Sequence, residues 1–141
     1  MSKSKSKQKT LEMVIIPAKH PNPPEQHELD SAFVLAEHYK YSVEFLLPID
    51  DYKRKTADIK MLGVVWELKC PTGSSRSTIE NQFRRARKQA KNIVFDTRLT
   101  KLGYEEIEKK VLAELKMRPS LKKVKRVVLI NKFSKIVELK K

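Results

Sequence analysis

Asp58-Ile59-Lys60-Met61-Leu62-Gly63-Val64-Val65-Trp66-Glu67-Leu68-Lys69 holds two short apolar runs that meet at Gly63. A polar loop precedes it (residues 50–56) and Pro71-Thr-Gly-Ser-Ser follows, so residues 57–62 and 64–70 are predicted to form the two strands of a hairpin. Alternation along the second strand puts Val64, Trp66, Leu68 and Cys70 on one face and Val65, Glu67 and Lys69 on the other. An acid and a lysine therefore stand two residues apart on the same side. Asp58 enters the partner strand, and its carboxylate approaches Glu67 if the register puts both on that face.

Outward from the hairpin the chain alternates helix and strand signals. Leu29, Ala32, Phe33, Ala36 and Tyr39 recur at helical spacing, and residues 43–47 read as a strand ended by Pro48. Beyond the hairpin, Ile79, Phe83, Ala86 and Ala90 mark a second helix. Residues 92–97 follow as a strand, and Ile107, Val111 and Leu115 mark a third helix ended by Pro119. Residues 126–130 and 136–139 close the pattern as two strands meeting across 131–135. This order predicts an α/β fold, a mixed sheet flanked by helices. Residues 1–24, a Lys/Ser tail and a lead-in with four prolines in Pro17–Pro24, are expected to precede a single domain over 25–141.

Composition narrows the chemistry. The chain has 141 residues, one Cys and three His, which leaves neither an internal disulfide nor the ligands for a Cys/His zinc cluster. No apolar run reaches the ~20 residues of a membrane span, and the N-terminus lacks the apolar core of a secretion signal, so a cytoplasmic chain without membrane association is expected. The formal charge is +14. Removing residues 1–10, with four Lys and no acid, leaves 27 basic residues against 17 acidic, so the body itself is +10. Nucleic acid is the expected partner.

Paired carboxylates repel unless a cation lies between them, and hard oxygen ligands select Mg²⁺, with Mn²⁺ as the alternative. A metal held by Asp58, Glu67 and the Leu68 carbonyl suits phosphodiester hydrolysis, with Lys69 orienting water and offsetting charge. Glu28, near the apolar face of the first helix, is a third candidate acid and metal ligand. On the second helix Thr78, Gln82, Arg85 and Gln89 form a polar stripe. Arg76, Arg84, Arg85 and Lys88 on that helix, with Thr72, Ser74 and Ser75 in the loop before it, are candidate nucleic-acid contacts. The bland alternatives stand beside these roles. Acid-x-Lys occurs six times in the chain, so Glu67 and Lys69 equally read as an ion pair on the exposed face of an edge strand. Glu28 taken alone is more often a first-turn acid favoured by the helix dipole. His20, His27 and His38 have no spacing that enforces convergence, and Trp66 and Cys70 read as core.

Trp66-Glu67-Leu-Lys69-Cys-Pro-Thr-Gly-Ser-Ser, with Thr78-Ile-Glu-Asn-Gln and Ala86-Arg-Lys-Gln89-Ala-Lys-Asn-Ile-Val, resembles the C-terminal tRNA-nuclease toxin domain of contact-dependent growth inhibition proteins of the CdiA type. The resemblance runs from about Glu25 to the C-terminus and is densest from Asp58 to Asp96. It implies a restriction-endonuclease-like domain of the PD-(D/E)XK superfamily, with Glu28, Asp58, Glu67 and Lys69 as the catalytic set. Thr78 and Gln89 become second-tier residues, with Gln82 between them on the same stripe. Ala57 stands where the motif's name has Pro. The resemblance further implies tRNA as substrate and an immunity protein, expected to be acidic, as partner. A DNA endonuclease of the same fold, of repair, resolvase or restriction type, and a non-catalytic basic nucleic-acid-binding module are the competing readings.

Overall fold

The computed structural model describes residues 9–18, 23–46, 57–73, 76–117 and 124–140. Its organising element is the predicted hairpin, strand β3 (Ala57–Met61) and strand β4 (Val64–Lys69). Leu62 and Gly63 both take positive φ (55° and 78°), the geometry of a two-residue turn matched to strand twist. Gly63 adopts it without a Cβ penalty.

Around the hairpin the described residues build one seven-stranded mixed sheet, β1 (Val14–Ile15), β2 (Val43–Phe45), β3, β4, β5 (Asn92–Asp96), β6 (Arg126–Ile130) and β7 (Ile136–Lys140), whose spatial order follows the chain. β4, β5 and β6 run parallel, while β2–β3, β3–β4 and β6–β7 are antiparallel. Helix α1 (Gln26–Tyr39) lies on one face, and α2 (Arg76–Gln89) and α3 (Tyr104–Met117) lie on the other. This is the expected mixed α/β architecture. One difference lies upstream: Val14–Ile15 pairs in parallel with β2, so the sheet begins ahead of Glu25, the expected start of the domain. Two residues are too few to show a period.

Each face has its own core. Ala32, Leu35 and Ala36 of α1 pack on Ile59, Trp66, Leu68, Val94 and Val128. Ile79, Phe83 and Ala86 of α2 and Ile107 and Val111 of α3 pack on Ile93, Phe95, Val127 and Leu129. A capping box starts α1, with the Glu28 carboxylate accepting from the Glu25 backbone N–H at 2.9 Å. The helix stops at Lys40, which is left-handed and donates its N–H to the Ala36 carbonyl.

Candidate functional site

The hairpin register decides the site. Asp58 is the cross-strand partner of Glu67, and Glu67 and Lys69 lie beside Ile93 and Phe95 of β5. Neighbours across a ladder share a face, so Asp58, Glu67 and Lys69 all point to the side covered by α2 and α3. β4 is the middle strand of the seven, with β3 and β5 on its two sides. Glu67 and Lys69 are accordingly buried, 2% and 5% exposed, which removes the edge-strand reading of this pair. The Lys69 ammonium lies 3.5 Å from Glu67 Oε2. Asp58 is half-buried.

Burial pulls the Lys69 ammonium below the ordinary lysine range, Glu67 pulls it back up, and the Arg85 guanidinium lowers it further. Arg85 on α2 is thus within electrostatic reach of the acid and lysine pair while itself exposed. Thr78 lies against the loop that leaves β4: a Cβ on Gly73 would come within 2.7 Å of Thr78 Oγ1. Gln82, one turn on, is half-buried, and Thr72 is exposed.

Two candidates are positioned differently from expectation. Arg84 donates from Nε and Nη2 to both oxygens of buried Glu114 on α3, so it fastens α2 to α3. Lys110 of α3 holds Glu80 of α2 in the same seam. Glu28 belongs to the opposite face of the sheet, where its carboxylate is occupied in the capping box; it is close enough to Cys70 to help keep that thiol protonated. Ser74 and Ser75 lie outside the described residues, as do the side chains of Arg76, Lys88 and Gln89. Among the described residues no group of three or more His, Cys, Asp or Glu side chains is placed to hold a metal ion. On the α2/α3 face of the sheet Asp58 and Glu67 oppose each other directly, and Glu44 lies on the same face opposite Lys60.

A second polar cluster sits on the α1 side of the same sheet end. Ser31 donates to buried Asp96 at 2.5 Å and lies 3.4 Å from the Cys70 sulfur. Arg98 grips both Asp96 oxygens and also donates its backbone N–H to one of them. Burial is the main cause that pushes the Cys70 thiol up to about 12, so the residue after Lys69 is a neutral donor or acceptor rather than a nucleophile. No local period or motif spacing assigns Ser31, Asp96 or Arg98 a role. The available signal was an acid closing the apolar run Asn92-Ile-Val-Phe-Asp96, which needs a partner once that strand is buried.

With this geometry in place, residues 55–136 match the family described as the contact-dependent growth inhibition CdiA C-terminal domain. The chain belongs to that family. The match includes the Asp58–Lys69 hairpin, the second helix and the Asp96–Arg98 corner. Among solved structures the fold is similar to that of a CdiA-CT/CdiI toxin and immunity complex from Burkholderia pseudomallei. The TM-score is 0.61 at 20% identity, over 89% of this chain and 98% of that one. No curated protein matches the chain. Among the described residues no helix is long and apolar enough to cross a membrane.

Proposed function

We propose that this CdiA C-terminal domain is a toxin-like nuclease of the PD-(D/E)XK type that hydrolyses RNA, with tRNA as the preferred class, in a divalent-metal-dependent reaction. The observation that carries the reading is the facing of Asp58 and Glu67 across β3–β4 with Lys69 on the same side. Opposed carboxylates have Cβ atoms about 5 Å apart and repel. Such a pair suits a hard cation bound by one or two carboxylates, the rest of its shell being water and phosphate, as Mg²⁺ prefers.

Asp58 and Glu67 would hold the ion, which when bound polarises the phosphate and lowers the pKa of water. The chain's own residues do the rest. Lys69 in its ammonium form orients a water for in-line attack and offsets charge on the phosphoryl oxygens. Arg85 draws the anionic backbone toward the end of β4, and Thr78 keeps the following loop in place. A metal-free basic module would have no use for two acids facing each other on a buried strand pair, which favours the catalytic reading over simple binding. The Burkholderia neighbour was solved as a toxin and immunity complex, and an acidic immunity protein over the basic surface is the corresponding partner expected here.

End-labelled tRNA, single-stranded RNA and duplex DNA, incubated with wild type and Glu67→Gln in Mg²⁺ or EDTA, test the proposal. Metal-dependent cleavage of tRNA that is lost in the variant is expected. Cleavage of DNA alone would move the assignment to a DNA endonuclease, and tight binding without cleavage under any condition would retire it.

A further inference from the structure

We infer that Phe133, at the tip of the β6–β7 turn, is a stacking platform for an unpaired RNA base beside the cleavage site; the inference rests on the RNA-directed reading above. A single exposed apolar side chain is ordinary. Phe133 differs in degree and in how it is held: it is 83% exposed, the most exposed of the large hydrophobic side chains among the described residues.

The turn beneath it is tightly built. Asn131 Oδ1 accepts from the backbone N–H of Phe133 at 2.8 Å and of Lys135 at 3.0 Å, and the Asn131 N–H donates to the Lys135 carbonyl. Ser134 takes φ 61°, costly for a residue with a Cβ, and Arg98 Nη1 donates to its hydroxyl. The Lys132 ammonium anchors the turn on the carbonyls of Thr97 and Thr100. Thr100 in turn donates to the Gly73 carbonyl in the loop leaving β4. A flexible loop would let the ring fold back onto apolar surface. This one fixes a ring in water and ties its base to the loop after Lys69.

Its position matches the use. Lys69, Phe95 and Leu129 are at one level of the parallel strands, and the turn starts two residues beyond Leu129. β4 and β6 are two strand spacings apart, roughly 10 Å. The turn therefore flanks the end of the sheet where Glu67 and Lys69 lie. Lys135, two residues from the ring, is an exposed cation suited to an anionic ligand, while Lys132 and Arg98 beneath the turn are engaged with the Thr97 and Thr100 carbonyls and with Asp96. On the α1 side the turn borders a cleft of about 460 Å³ lined by the acids Asp30 and Glu37 as well as by Arg98 and Lys135, a lining of balanced charge. RNA recognition commonly splays unpaired bases onto aromatic rings, and such stacking tolerates any base.

The test measures affinity in the Glu67→Gln background, so that cleavage does not consume the probe. A short single-stranded RNA is titrated against Phe133 and against Phe133→Ala, Phe133→Tyr and Phe133→Leu, with thermal melts to confirm unchanged folding. Expected is a loss of about 5- to 150-fold for Ala, the range of about 1–3 kcal/mol per stacked base, with Tyr near wild type and Leu close to Ala. Leu binding as well as Phe, or Ala binding unchanged, overturns the inference. So does a loss confined to self-association, which would make the tip a protein contact. Wild type that cleaves normally while Ala still binds fully would sink the stacking role alone; stacking losses in a protein that cleaves nothing would sink the nuclease reading alone.

Discussion

Glu67 and Lys69 form a buried ion pair, Oε2 to Nζ 3.5 Å, on the middle strand of the sheet. Burial, Glu67 and Arg85 act on Lys69 with different signs, lowering, raising and lowering its affinity for a proton. Glu67→Gln should therefore move the Lys69 titration still lower, and Arg85→Gln should move it back toward the ordinary lysine value. Carbon-13 shifts of the Lys69 ε-methylene would follow both. Because its folded pKa is below its unfolded one, the cost of the charged buried lysine is fully present below the folded pKa. That cost is relieved as pH rises from there to the unfolded pKa. Lys69→Met should flatten that rise in denaturant titrations. Cleavage that uses the ammonium form should fall on the alkaline side before the ordinary lysine range, and a rate climbing there would mean that Lys69 acts as a base.

Asp58 and Glu67 face each other, so they should act as one unit in catalysis and as opponents in stability. Asp58→Asn and Glu67→Gln are each expected to lower kcat about a hundredfold or more, and the double variant no further than the worse single one. Asn keeps the hydrogen-bonding reach of Asp and removes its charge. In the metal-free protein the coupling between Asp58→Asn and Glu67→Gln in a double-mutant cycle should therefore show a repulsion of about 0.2–1 kcal/mol, the scale of a like-charge cross-strand pair. Multiplicative losses in kcat would show that the two carboxylates do not share a ligand.

The Asp96–Arg98 corner is a stability element on the other face. Asp96 is 2% exposed and takes three donors from Arg98 besides the Ser31 hydroxyl. Arg98→Ala removes the guanidinium's two donors and its charge from that buried carboxylate and leaves the residue-98 backbone N–H and the Ser31 hydroxyl, a change that costs about 3 kcal/mol in comparable pairs. The Arg98 side chain is 24% exposed, which places the expected loss at the lower end. Adding Asp96→Asn should recover part of it, because the stranded charge is then removed. Urea midpoints of the two singles and the double decide the matter; equal losses in Arg98→Ala and the double would mean that buried charge is not the cause.

The sequence made the helices and the hairpin legible because their signals are local. Gly63 marked the turn, alternation set the faces, and the register that joins Asp58 to Glu67 follows from a two-residue turn. What stayed hidden depends on the whole sheet. Whether Glu67 and Lys69 are buried turns on β4 being central, which no local period records. Ser31 and Asp96 meet across 65 residues of chain. Arg84 has the same local context as a phosphate-binding arginine, and only the seating of α3 beside α2 gives it Glu114. Glu28 reads as both a helix-start acid and a catalytic acid, and its capping box matches the first of these.

Gly73 and Thr78 offer a test of how firmly the loop after Lys69 must be held. A Cβ on Gly73 would lie 2.7 Å from Thr78 Oγ1, 3.1 Å from its Cγ2 and 3.3 Å from its Cβ, so Gly73→Ala forces the loop and α2 apart. Overpacking of this kind costs about 1–3 kcal/mol. The Gly73 carbonyl also takes the Thr100 hydroxyl, so the displacement should reach the neighbouring loop after β5. Thr78→Ala removes the two nearest atoms, and the Gly73→Ala, Thr78→Ala double variant should regain most of the lost stability, a positive coupling in a double-mutant cycle. Thr78→Ser, which keeps Oγ, should rescue less. Additive losses across the cycle would place the strain elsewhere. If stability returns in the double variant while cleavage does not, the Thr78 hydroxyl itself is needed by the reaction rather than only by the loop.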